Sequence, residues 1–388
     1  MTHILSIIHY PVFGGPHNSN MRLIPFLQKK GIQTTVLLPE EHGNAAEKLK
    51  DAGIQVVLIP LHRARATLNI GTHFQFFTQF SAEIREISEI IQRLKIDIVQ
   101  INGLINPHGA IAAHRVGVPV VWQILDIHTP VILRYAIKPL LMHYADVIMC
   151  TGQKVANKHP GVTKRPDRLV NFFPPVNLTD FSPKISTRNQ VRQELGIDTS
   201  ILVIGTVGNI NLVKGHDNFI HAAAQMKAKV HNTCFLILGT IHNNHKNYAK
   251  SLEILANNLG LKIGQDLIFL DPAGRVHELV QAMDIFWMTS RSEGIPTAME
   301  EAMALKLPIV SFDVGSIGEL IMHGCTGYLV QDQDPKLIAK YTLDNLLDEK
   351  IRNEMGSRGR HFIQEHAALE VCAEQHIKAY SLASKYNK

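Results

Sequence analysis

Short β-branched apolar runs alternate with longer stretches of helical period along nearly the whole chain, the pattern of parallel sheets covered by helices. In the first half the apolar runs predict strands at Ile4–Ile8, Thr34–Leu38, Val56–Ile59, Ile98–Ile101, Val118–Gln123 and Val147–Met149. Helical stretches fall between them at Asn20–Lys30, Glu41–Ala52, Phe80–Leu94 and His108–Arg115. The alternation breaks at Asn171–Pro183, where Pro174-Pro175 cannot continue a helix and reads as a linker. It then restarts with strands at Ile201–Val207, Thr233–Leu238, Leu267–Leu270, Ile285–Met288, Pro308–Ser311 and Gly327–Val330. Helices are expected at Asp217–Lys227, Tyr248–Leu259, Val276–Ala282, Pro296–Ala304 and Ile317–His323, and the tail from Pro335 to Lys388 reads as helical throughout.

At 388 residues the chain exceeds what one core usually serves. The expected organisation is therefore an α/β protein of two facing, doubly wound, Rossmann-like domains, residues 1–177 and 178–370, with a cleft between them. A last helix over about 371–388 is expected to pack back on the first domain.

Composition adds exclusions. No apolar run approaches the roughly 18 to 20 residues that span a bilayer. The first strand lacks a basic n-region and runs straight into Gly14-Gly15, so no cleavable signal is expected. Cys150, Cys234, Cys325 and Cys372 lie far apart without a CxxC pair, which suits a reduced, cytoplasmic setting. Residues 1–180 carry 18 Lys+Arg against 12 Asp+Glu, a net +6, whereas the rest carry 21 against 22. That imbalance suits an anionic acceptor or an anionic membrane surface, such as the inner face of the cytoplasmic membrane, and scattered solubilising charge fits as well. No aromatic-interleaved basic stretch points to nucleic acid.

The densest chemistry lies in Ser292-Glu293-Gly294-Ile295-Pro296-Thr297, between a strand and a helix. A glycine turn and a proline at a helix start leave free amide N–H groups and a positive helix end, a suitable seat for a phosphate. Glu293 on that loop suits acceptance from sugar hydroxyls. Glu301, two turns into the helix, suits a ribose diol; a solvated helix-face acid, with Glu300 as the control, is the alternative.

A second loop, Gly208-Asn209-Ile210-Asn211-Leu212-Val213-Lys214-Gly215, sets Lys214 at the mouth of the next helix. A cation there is unfavourable unless an anion accompanies it, which favours a bound anion over the alternative of a lysine that simply snorkels into solvent. A third, Gly14-Gly15, permits close backbone approach after the first strand, and a plain tight turn fits it equally. Asp332-Gln333-Asp334 has the spacing of a metal-binding D-x-D but reads as a solvated turn, and the histidines around His242 and His245 lack a carboxylate partner. No metal and no cofactor is expected.

Together these stretches resemble the retaining glycosyltransferases of the GT-B fold, family-4 type. The likeness rests on the E-x7-E element Glu293/Glu301, the Gly208…Lys214-Gly215 loop, Gly14-Gly15 and Ala282-Met283-Asp284. It extends through Phe312-Asp313-Val314-Gly315-Ser316 and Gly327-Tyr328-Leu329-Val330. It is nearly unbroken from about Ile201 to Val330 and looser before.

The resemblance implies a metal-independent hexosyl or glycosyl transfer with retention, in polysaccharide, lipopolysaccharide or glycolipid synthesis. The donor would be a nucleotide-diphospho-sugar, UDP-linked before GDP-linked, and the acceptor a saccharide or lipid-linked saccharide. Lys214 would serve the phosphates, Glu293 the sugar and Glu301 the ribose. The amides of Gly14, Gly15, Gly208, Gly294, Ile295, Pro296 and Thr297 would line the donor; Pro296 itself lacks an N–H.

Two positions depart from the family. The arginine expected five residues before the lysine is Asn209, which removes one charge-assisted bond contributing about 1.5–3 kcal/mol. The family's sugar-contacting histidine falls on Leu125; Asp126 or His128 lies within a short shift, or the role is vacant. A weakly active sugar-nucleotide-binding scaffold and a sugar-nucleotide epimerase on the same fold are therefore alternatives.

Overall fold

The computed structural model describes residues 1–62, 70–127 and 129–386. The chain divides into two compact units, Met1–Pro175 with Leu369–Lys388, and Val176–Ala368. The first contains a seven-stranded sheet: β1 (Thr2–Ile8), β2 (Ile32–Pro39), β3 (Gln55–Ile59), β4 (Ile98–Asn102), β5 (Val120–Ile124), β6 (Val147–Thr151) and β7 (Leu169–Phe172). Its order is β3-β2-β1-β4-β5-β6-β7, and every pairing is parallel.

The second contains β8 (Leu202–Val207), β9 (Thr233–Leu238), β10 (Leu267–Leu270), β11 (Ile285–Met288), β12 (Ile309–Phe312) and β13 (Gly327–Val330), ordered β10-β9-β8-β11-β12-β13. These pairings are parallel too. All residues of β4, β5, β6, β9, β11 and β12 are buried, as strands covered on both faces must be. This is why they read as unbroken apolar runs rather than alternations.

Each sheet reverses winding once, between β1 and β4 and between β8 and β11. At such a reversal neighbouring strands send their following loops in opposite directions, leaving a crevice at the carboxyl ends. The topology thus fixes where each unit can receive a ligand.

Several elements depart from the sequence pattern, the short helix Gln153–Lys158 and the early start of the helix Ile70–Arg93 among them. Asn171 and Phe172 belong to β7, paired with Cys150 and Thr151, so the linker begins after them. Four residues with a polar Asn carry too little periodicity to announce an edge strand. Helices Val131–Tyr144 and Ile185–Glu194 were also silent, the first because it contains Pro139 and turns apolar residues outward, the second because its mean hydropathy is low.

The terminal helix Leu369–Tyr386 packs on the first unit through Cys372, Ala373, Ala379, Tyr380 and Ala383. Its register is fixed by polar contacts. The Tyr380 hydroxyl donates to Gln100 Oε1 at 2.6 Å, and Gln123 Nε2 lies 2.9 Å from His376 Nε2. The His376 Nδ1 lies 2.8 Å from the Cys372 carbonyl, so Nδ1 carries the proton and Nε2 accepts from Gln123. In the second unit Asp284 plays the corresponding part. It accepts from Arg188 at 2.5 Å, from the fully buried Arg192 at 2.7 Å and from the Val203 amide at 2.7 Å, tying the helix Ile185–Glu194 to β8 and β11.

Candidate functional site

In the second unit the winding reversal lies between β8 and β11, and the loops that follow these strands carry Lys214 and Glu293. The first loop closes with a 3-10 turn, Leu212–Lys214, capped when Asn211 Oδ1 accepts from the Lys214 amide at 3.2 Å. Gly215 then adopts φ +62°, and a β-carbon there would lie 2.0 Å from the Thr289 carbonyl oxygen. Only glycine permits both the left-handed turn and that approach. The turn launches the helix His216–Lys227 and points the Lys214 side chain back along Gly208, whose missing side chain leaves room for it.

The Lys214 ammonium donates to Glu293 Oε1 at 2.8 Å. The lysine side chain is 28% exposed and the glutamate 9%. The sequence favours an anion beside Lys214 over a side chain reaching into solvent, and here the chain itself supplies one. Burial, and next the Lys214 charge, push the His216 imidazole down to about 4, so this neighbour is neutral at physiological pH.

A clamp absent from the sequence expectation joins the two loops. Arg291 donates through its guanidinium to Asp217, at 2.9 Å and 2.5 Å, and to the Leu212 carbonyl at 2.7 Å, while its amide donates to the Val213 carbonyl at 2.8 Å. Tyr248 adds a hydroxyl bond to Asp217 at 2.8 Å. Burial pushes the Asp217 carboxyl up, but the bonds from Arg291 and Tyr248 outweigh it and hold it below the usual carboxylate range. Arg291 directly precedes the Ser292–Thr297 loop, yet its partner lies 74 residues away and no local spacing reveals the pair.

Glu293 is held from behind. Gly315 sits at φ +59°, where a β-carbon would lie 1.8 Å from the Glu293 carbonyl oxygen, and the Ser316 amide donates to the Gly294 carbonyl at 3.0 Å. Gly294, Ile295 and Pro296 are buried. Pro296 is the extended N-cap of the helix Thr297–Ala304 rather than its first residue, so the helix begins one position later than expected. Glu301 then lies little more than one turn into the helix, and it is buried. Glu300, expected in solvent as the control, is fully buried as well, and of this helix Thr297 and Ala298 alone are partly exposed.

Asn209 is exposed, and its carbonyl accepts from Asn211 Nδ2 at 3.1 Å. Gly14 caps the helix Gly15–Lys29 in the first unit, and β-carbons at Gly14 or Gly15 would meet nothing within 4 Å. The Gly14 amide, expected to face a phosphate, donates to His17 Nδ1 at 3.1 Å. His17 Nε2, which carries the proton, lies 2.9 Å from the Tyr10 carbonyl oxygen. Burial holds the His17 imidazole down at about 4 despite that bond, so the ring acts as a fixed neutral acceptor.

Leu125 and Asp126 follow β5, and His128 lies outside the described residues. Asp334 of the D-x-D triplet caps the helix Pro335–Asn345 by accepting from the Lys336 amide at 2.9 Å. Among the described residues no three His, Cys, Asp or Glu side chains cluster as metal ligands would.

Residues 187–362, nearly all of the second unit, match the family described as glycosyl transferases group 1. The chain is 24% identical over 324 residues to N-acetyl-alpha-D-glucosaminyl L-malate synthase of Bacillus anthracis, covering 81% of this chain and 82% of that protein. It is 29% identical over 244 residues to D-inositol 3-phosphate glycosyltransferase of Corynebacterium urealyticum, covering 61% and 56%. The chain thus spans just over half the length of that second relative. Anabaena Alr3699/HepE in complex with UDP-glucose has the same fold, with a TM-score of 0.83 at 18% identity over 98% of this chain and 100% of that one. WaaG, a glycosyltransferase involved in lipopolysaccharide biosynthesis, gives 0.68 at 16% over 98% and 99%.

Proposed function

We propose that this chain, whose residues 187–362 match the glycosyl transferases group 1 family and which has the GT-B fold, transfers a sugar from a UDP-linked donor to an acceptor hydroxyl with retained anomeric configuration. The observation that carries this reading is the Lys214–Glu293 pair at the winding reversal of the second unit, an ammonium and a carboxylate at 2.8 Å where an α/β sheet receives its ligand. A diphosphate competes with Glu293 for the ammonium. On binding, Lys214 turns to the phosphates, and the released carboxylate accepts from sugar hydroxyls. Glu301, on the helix behind, serves the ribose.

As the anomeric carbon–oxygen bond breaks, its electron pair stays on the diphosphate. Lys214 and the loop amides stabilise that charge. The acceptor oxygen bonds to the same face of the sugar, and its proton passes to the departing phosphate oxygen. The chain itself supplies the charge for this step, so the reading needs no metal ion. UDP is favoured because the related fold of Anabaena Alr3699/HepE was solved with UDP-glucose. The acceptor is a saccharide or lipid-linked saccharide held by the first unit, in glycolipid or polysaccharide synthesis.

A donor-binding protein of little turnover is the second reading, and Asn209 favours it, since no guanidinium stands there beside Lys214. Calorimetry with UDP and UDP-sugars, run beside a donor-consumption assay, separates the two. Turnover lost in Lys214→Ala supports transfer; tight binding without turnover in the native protein supports the second reading.

A further inference from the structure

We infer that the first turns of the helix Val131–Tyr144 form a docking face for an anionic lipid bilayer. The inference stands apart from the donor site and from the reading of glycosyl transfer. Most helices on a protein surface turn their apolar stripe inward. This one also presents apolar residues outward: Val131, Ile132, Tyr135, Ala136 and Pro139 share one face by their spacing, and all are exposed. Val131 is 56% exposed, Ile132 82% and Tyr135 62%. Farther along the helix Leu141 is buried and Ile137 and Met142 pack on the core of the first unit, while Leu133 in the first turn is 46% exposed as well.

Cations surround this face, and the fold places them. Arg134 donates to the Thr129 carbonyl at 2.8 Å and to the Lys158 carbonyl at 2.9 Å. The Lys138 chain lies over Gly161, and Arg165 donates to the Met142 carbonyl at 2.8 Å. Residues 131–165 contain six Lys+Arg and a single acid, Asp146. That carboxylate is turned inward to the Val120 amide at 2.8 Å. An apolar ridge set among cations matches the interface of an anionic bilayer, where aliphatic and aromatic side chains enter the acyl boundary and ammonium groups stay at the phosphates. A second copy of the chain fits poorly, because an isologous contact would oppose two strongly positive patches. Among the described residues no helix is long and apolar enough to cross a membrane, so the face lies on the bilayer.

Vesicle flotation of the full chain tests this, using phosphatidylcholine alone and with about 30% phosphatidylglycerol. The native protein is expected to partition at least about tenfold more strongly to the anionic vesicles, an advantage that falls at about 0.5 M salt. Ile132→Asp with Tyr135→Asp should lower binding to anionic vesicles about tenfold or more, at unchanged melting temperature and UDP affinity. Lys158→Glu with Lys164→Glu should remove the anionic preference alone. Equal binding to both vesicles, or native-like binding by the aspartate variant, would overturn the inference. So would a native dimer in light scattering that the aspartate variant dissolves, since the face would then belong to a second copy.

Discussion

The Lys214–Glu293 pair makes a quantitative prediction about what the donor displaces. At 2.8 Å and an effective dielectric of about 20 the gross attraction is roughly 6 kcal/mol, most of which offsets the loss of hydration. With the lysine 28% exposed, a coupling of about 1.5–3 kcal/mol remains, the usual range for a hydrogen bond between charged groups. Lys214→Ala, Glu293→Gln and their combination form a double-mutant cycle, measured by urea unfolding without ligand and again with saturating UDP. Without ligand the coupling should appear in full. With UDP it should fall below about 0.5 kcal/mol, because the ammonium has changed partners. Lys214→Ala should weaken UDP binding about 10- to 150-fold. Glu293→Gln should bind UDP as tightly as the native protein or more tightly while losing turnover, because it frees the lysine but removes the acceptor for sugar hydroxyls. A coupling that is the same with and without UDP, or near-native UDP affinity in Lys214→Ala, would refute the exchange of partners.

Gly315→Ala should cost about 2 kcal/mol or more and weaken UDP binding, since its β-carbon would press on the Glu293 carbonyl in a left-handed conformation; urea unfolding and calorimetry read both effects. Asp284→Ala should destabilise the second unit by about 3–5 kcal/mol, measured by thermal unfolding, because it leaves the buried Arg192 without its counter-charge. His376 is fully buried, and burial lowers its imidazole from 6.5 to about 4. Below pH 6.5 the unfolded ring takes up a proton that the folded ring refuses until about pH 4, so stability falls on acidification across that window, by roughly 3 kcal/mol. His376→Phe should flatten that portion of the stability–pH curve; an unchanged slope would remove His376 as the cause.

The two parallel sheets were legible in the sequence because inner parallel strands are buried on both faces, so β9 and β11 announce their own bounds as apolar runs, while the partly buried edge strands β10 and β13 are marked off by the breakers around them. The loops bearing Lys214 and Glu293 were legible for a related reason, since a glycine turn and a proline at a helix start are local backbone requirements. What the sequence left open depends on contacts between distant segments. Arg291 finds Asp217 and Lys214 meets Glu293 across 79 residues only when β8 and β11 lie side by side, and Gly315 supports Glu293 only when β11 and β12 do. Glu300 shows the same limit from the other side: its helical position suggested solvent, and packing of the second unit buried it. Likewise, the outward apolar face of Val131–Tyr144 reads along the chain as ordinary core-forming residues. Local chemistry determined which elements form and where the backbone turns; tertiary packing decided which charges meet and which apolar residues are left facing water.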